Sequence, residues 1–267
     1  MRRSVRCVVG IVWLVGACGR LGFDPGGGVP GGQLATDAGP EDSSSGMSPD
    51  APGSTLNDGL IAYFPLDSIT AQGSMSAVGS HLADCEAACP TAIAGRINGA
   101  LSFDETVVLR VSETSAFQTT GGFSVALWIY PSRATSSTPV SKMFMQPATN
   151  LNSWQVELTG SLDVGATSAN AAGDKQVDST GVVAPLDTWT HVALTWDGTT
   201  LRQYVNGTNE LSAARSIAFD GGDLIIGGDE NNGSPDPTYF FNGRIDEVRI
   251  YNRRLMESEI ATLAAPP

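Results

Sequence analysis

Few residues in this chain are equipped for chemistry, and their spacing narrows the options further. There are two histidines, His81 and His191, and four cysteines. His81, Cys85 and Cys89 stand four apart, so on a helix they would share a face and could hold zinc. No fourth ligand is evident and Pro90 follows at once, so the expected state is a Cys85–Cys89 disulfide and no zinc. In the chain-entropy picture so short a loop contributes about 2 kcal/mol. His191 lies inside the apolar run Thr190–Trp196, the setting of a packed, hydrogen-bonded histidine rather than a catalytic base. There is no Gly-x-Ser-x-Gly elbow and no His-Glu-x-x-His pair. Asp246 and Glu247 are adjacent, and neighbours on a strand point to opposite faces.

The remaining cysteine of interest is Cys18. Arg2, Arg3 and Arg6 precede an apolar stretch, Cys7 to Ala17, that is too short to span a bilayer. The stretch ends in Val15-Gly16-Ala17-Cys18, which resembles a bacterial lipobox. Residues 1–17 are therefore expected to be a lipoprotein signal peptide, with Cys18 the acylated mature N-terminus; several acyl chains give the stable anchoring that one does not. The protein is then exported and lipid-anchored to the bacterial outer membrane or cell surface, an oxidising setting that suits the disulfide. Residues 18–57 read as a tether: from Gly19 on they hold ten Gly, five Pro and five Ser and almost no large apolar group. Such a segment cannot offset its ordering entropy. As a flexible coil it would span roughly 35 Å.

Charge excludes one class of partner. The chain carries 15 basic and 28 acidic residues, a net −13. Nucleic-acid binding draws on clustered Lys and Arg, so no nucleic-acid partner is expected.

The elements that must position any site begin near Asp58. Leu60–Leu66, Ala100–Phe103 and Val107–Val111 are short apolar runs. Phe123–Tyr130 alternates with both residue sets large, the mark of a central strand, whereas Trp154–Leu158 alternates more cleanly and reads as half exposed. Thr190–Trp196 puts Val192, Leu194 and Trp196 on one face. Asn206-Gly207 supplies the left-handed pair of a tight hairpin. Leu224–Ile226 and Ile245–Tyr251 complete the strands, and only Leu255, Glu259, Ile260 and Leu263 have helical spacing. Short strands separated by Gly, Asn and Asp turns over 58–265 predict an all-β antiparallel sandwich or jelly roll with a short C-terminal helix.

Three segments go further. Phe123-Ser-Val-Ala-Leu-Trp-Ile-Tyr130, Trp189-Thr-His-Val-Ala-Leu-Thr-Trp-Asp-Gly198 and Tyr204-Val-Asn-Gly207 resemble the laminin-G-like jelly-roll domains of the concanavalin A-like lectin and glucanase superfamily. Phe241–Tyr251 is similar to the family's last strand, and Gly95–Asp104 to an early one. Met256 departs from the pattern, standing where the family has Ser or Thr at the helix cap.

The resemblance admits enzymes, lectins and adhesion modules. A retaining glycosidase needs two carboxylates about 5 Å apart. The glucanase branch of the superfamily carries them as Glu-x-Asp-x-Glu on one strand, and no segment has that pattern. A glycoside hydrolase is thus the remote alternative, and a non-catalytic binding module, for a glycan or for a surface protein, is the expected function. The superfamily also implies calcium, which takes six to eight oxygens. Candidate ligands are Asp67, Asp104 and Asp246, with the Gly228–Asp236 stretch as a second donor-rich segment. Asp246 is expected to share a strand face with Val248 and Ile250, where a carboxylate needs a partner: either calcium or a nearby base or backbone amide. For a glycan, Trp154, Asp229, Asn231, Asp236 and Tyr239 are the candidate contacts. Trp128, Trp189 and Trp196 are expected in the core.

Overall fold

The computed structural model describes residues 55–266 apart from 87, 143–152, 220 and 230–237. The signal segment 1–17, Cys18, most of the tether 18–57, and Asn231 and Asp236 lie outside the described residues.

Sixteen strands alternate with turns along the described chain. They begin with β1 (Leu60–Phe64), β2 (Gly73–Met75), β3 (Leu82–Cys85), β4 (Thr91–Ile97), β5 (Gly99–Asp104) and β6 (Leu109–Val111). The middle of the chain gives β7 (Phe123–Pro131), β8 (Ser137–Lys142), β9 (Trp154–Leu158), β10 (Asp163–Ala169) and β11 (Lys175–Val183). Then come β12 (Thr190–Trp196), β13 (Thr200–Val205), β14 (Thr208–Ala214), β15 (Leu224–Ile226), β16 (Asn242–Tyr251) and the helix α1 (Glu257–Leu263). They form two antiparallel sheets. The first runs β14-β13-β12-β7-β16-β5-β4, with β1 also on β16; the second runs β11-β10-β9-β8-β15-β6-β3-β2. This is the predicted jelly-roll sandwich.

Period two explains the packing. Phe123, Val125, Leu127 and Ile129 of β7 and Val192, Leu194 and Trp196 of β12 face inward, against Trp154, Val156 and Leu158 of β9. The Phe123 and Trp154 rings stack 5.2 Å apart between the sheets. Strand β7 is central and buried on both faces, as its double alternation predicts. The Asn206-Gly207 turn has φ of +49° and +84°, the left-handed pair that a tight hairpin requires.

Two expectations need correction. Trp189 is half-buried, its ring edge-on to Tyr130, rather than a core residue. In β16 the alternation breaks: the pairing with β7 shifts between Asp246 and Arg249, and Glu247 takes φ +60°. This bulge sends Ile245, Val248 and Ile250 to the core, so Asp246 does not share their face. Simple counting along the strand cannot foresee the extra residue.

The helix start does not need a polar cap residue. Glu259 accepts the Met256 N–H at 2.8 Å, meeting an orphan donor of the first turn from within the helix. The Cys85–Cys89 disulfide is formed, with the two Cα atoms 5.0 Å apart.

Candidate functional site

The outer faces of the two sheets differ, and the described site candidates other than the core residue Trp154 are taken face by face. On the first sheet, β12, β7 and β16 bring His191, Trp128 and Asp246 into one row. Asp246 is fully buried; its Oδ2 accepts the N–H groups of Arg96 (2.8 Å) and Ile97 (2.9 Å), and its Oδ1 has no hydrogen-bond partner among the described residues. Burial is the main cause that pushes its carboxyl up to about 7, and the Glu247 and Asp67 charges act the same way against the two amides. Of the partners foreseen for Asp246, the backbone amides of Arg96 and Ile97 are in place. Asp67 accepts the Gly99 N–H at 2.8 Å, so both carboxylates brace the β4–β5 hairpin. Asp104 instead caps its own turn, accepting from the Thr106 N–H and hydroxyl, and sits at the far end of β16 opposite Asn242. The three aspartates do not converge, and among the described residues no group of three or more His, Cys, Asp or Glu forms a metal-ligand set. His191 is buried edge-on to Trp128, and burial, with the Arg249 charge, lowers its pKa to about 3. Neutral and enclosed, it is a packing residue.

On the second sheet the outward face is mixed, with polar Gln155, Glu157 and Thr167 beside apolar Val177 and Ile225. Register places Val177 of β11, Thr167 of β10, Gln155 of β9 and Ser141 of β8 in one row. The same row continues through Ile225 to Arg110. Because Trp154, Val156 and Leu158 point inward, Gln155 and Glu157 must point outward. Trp154 is only 2% exposed and stacked in the core, so it cannot serve as a sugar platform. Its place in an apolar alternation outweighs its being a tryptophan.

Gln155 and Glu157 form the floor of a cleft of about 300 Å³. Glu157 Oε2 accepts the Gln155 amide at 2.7 Å and the Thr167 hydroxyl at 3.0 Å. Asp229, 1% exposed, also lines the cleft. It is held in a two-way backbone bridge to Thr238, and the Thr138 N–H donates to the Tyr239 carbonyl at 2.8 Å. These bonds fix Tyr239 beside β8, whereas Val177 stands on the edge strand β11. Three strand spacings separate the two walls, roughly 14 Å. Tyr239 and Val177 are 51% and 68% exposed, two of the largest apolar exposures on the described surface.

The cleft therefore gathers Asp229 and Tyr239 from the predicted set and leaves out Trp154. Gln155, Glu157 and Thr167 give no signal of a site because polar residues on an alternating strand look like an ordinary solvated face, and Val177 gives none because a single exposed valine is commonplace. The clean alternation of Trp154–Leu158 did signal that Gln155 and Glu157 lie together on the side opposite the core.

The structure is a double-sheet jelly roll with a cleft on one outer face. The chain belongs to the concanavalin A-like lectin/glucanases superfamily, whose sequence profile matches residues 104–261, more than half of its length. No functionally curated protein matches it significantly in sequence. Among solved structures, it is similar to domain 4 of AbnA, a GH43 extracellular arabinanase from Geobacillus stearothermophilus, determined with arabinotriose. Identity there is 20%, the TM-score is 0.59, and the match covers 77% of this chain and 98% of that one. The binding domain of Paraclostridial Mosquitocidal Protein 1 is 17% identical, with a TM-score of 0.62 and coverage of 79% and 52%. The binding domain of botulinum neurotoxin DC, in complex with SialylT, is 14% identical, with a TM-score of 0.54 and coverage of 79% and 52%. The chain thus spans about half of the toxin binding domains it matches. At these identities the likeness is one of fold.

Proposed function

We propose that this protein is a non-catalytic glycan-binding module that uses the cleft over β8–β11. The observation that carries the reading is the pairing of a hydrogen-bonding floor, Gln155 and Glu157, with two exposed apolar walls, Tyr239 and Val177. Sugars present both surfaces at once: hydroxyl groups in the ring plane and C–H faces above and below it. The volume is at the lower end of the range for small-ligand sites, about 300–1,000 Å³. Glu157 is fastened by two donors, which suits an acceptor better than a mobile acid or nucleophile. Domain 4 of the arabinanase, a structure of the same fold determined with a sugar, supports the reading by analogy. Acylation of Cys18 and the tether would display the module away from a bacterial membrane.

A glycan array probed with the full chain, with and without calcium, tests the proposal. Saturable binding to one glycan class is expected, and it should be lost in Tyr239→Ala. A blank array would favour protein adhesion, and turnover of a polysaccharide would overturn the non-catalytic reading.

A further inference from the structure

The cleft's hydrogen-bonding groups have a direction, and the direction selects a ligand. An ionised carboxylate can only accept, so the Gln155 amide must turn its Nε2 to Glu157 Oε2. Its acceptor, Oε1, is thereby turned away from Glu157. Gln155 is 8% exposed, and this oxygen has no hydrogen-bond partner among the described residues. The Thr167 hydroxyl is committed in the same way: its hydrogen goes to Glu157. A buried acceptor without a donor is costly, so a ligand that supplies one is favoured. Among the described residues, the rest of the cleft lining carries the carboxylates of Glu157 and Asp229, the hydroxyls of Ser136, Ser137, Thr138 and Thr159, which can donate or accept, and one basic residue, Lys175, exposed at its margin on β11.

Resting on the glycan reading above, we infer that the cleft selects neutral glycans, whose hydroxyls donate to the floor, and rejects acidic ones. The donor on offer from a neutral sugar is O–H, and the Gln155 Oε1 acceptor is the buried group it would satisfy. A uronate, sialate or sulfate would bring a negative charge toward Glu157 and Asp229. The protein's net charge of −13 adds to that repulsion at long range. The walls do not oppose the choice: Tyr239 and Val177 offer ring and methyl surface, which suits the C–H face of an uncharged sugar.

The test is titration of the full chain with matched oligosaccharides that differ only in one acidic substituent. Neutral forms are expected to bind about tenfold tighter or more than acidic forms, the effect of one like-charge contact in a partly screened site. Glu157→Gln, and separately Asp229→Asn, should narrow that ratio, as should raising the salt from 20 to about 300 mM. Melting curves identify any variant that fails to fold, and the salt series on the unmodified protein then stands in its place. Tighter binding of an acidic glycan, abolished by Tyr239→Ala, would overturn the inference while leaving the glycan-binding cleft standing. Binding of no glycan in either series would overturn both.

Discussion

The two outer faces of the sandwich are built from the same alternation yet finished in opposite ways. Over the first sheet, Ala126, Ala193, Tyr204 and Tyr251 are covered by Leu255, Ile260 and Leu263 of α1 and its approach. The Ser124 hydroxyl ties this cover down, donating to the Arg253 carbonyl (2.9 Å) and accepting the Leu255 N–H (2.8 Å). Farther along, arginines lie over rings: Arg96 over Trp128, Arg244 over Tyr130 and Arg249 over Tyr63. Large side chains there have found their partners within the protein. Over β8–β11 no helix among the described residues covers the outward face, and the floor of Gln155 and Glu157 stays recessed between Tyr239 and Val177. Over the first sheet aromatic residues mark where structure is completed, whereas the candidate cleft on the second is marked by recessed polar groups beside the exposed Tyr239.

Substitutions can break or sharpen that contrast. The largest effect is expected from Trp154→Ala, which removes an inter-sheet stack and should cost about 3–5 kcal/mol in denaturant unfolding. Retained stability with lost ligand binding would instead make Trp154 part of the site. Asp246→Ala strands two amides that the first face now satisfies, and a loss of about 1–3 kcal/mol is expected. A chelator should leave the wild-type melting temperature unchanged if the amides suffice, whereas destabilisation by the chelator would point to a bound cation.

The same row gives two opposed pH dependences. His191 has a folded pKa of about 3, below its unfolded value near 6.5, so the unfolded state binds the extra proton. Stability is therefore full above pH ~6.5 and falls toward pH ~3, by about 1.4 kcal/mol per pH unit within that window. Asp246, raised to about 7, works the other way: its contribution is full below pH ~4 and is lost as pH rises to ~7. Stability profiles of His191→Gln and Asp246→Asn should separate the two, the first flattening the acid limb and the second removing the decline toward neutrality. Parallel curves for all three proteins would show that neither group titrates as described.

Much of this architecture is legible without coordinates, since the apolar alternations of β7, β9 and β12 assign their own faces. Phe123–Tyr130 announces a strand covered on both sides, and Asn206-Gly207 announces its hairpin. The bulge at Glu247 is not legible, because a single extra residue in a left-handed conformation leaves no mark in the pattern of residue types. The site is half legible. Asp229 and Tyr239 stand out as loop residues with usable chemistry, and both line the cleft. Gln155, Glu157 and Thr167 become a floor only once β9 and β10 pair in register and the 238–239 segment is bonded to β8. That juxtaposition is tertiary, and no local signal encodes it.

The most direct test of the contrast is an amide chemical-shift map of the isotope-labelled chain titrated with a neutral oligosaccharide selected on the array. The account predicts shifts concentrated at residues 137–139, 155–159, 165–167, 175–179 and 238–239, with the strands at 190–196 and 244–251 unchanged. Shifts centred on His191, Trp128 and Asp246, with the Gln155–Glu157 segment silent, would contradict it.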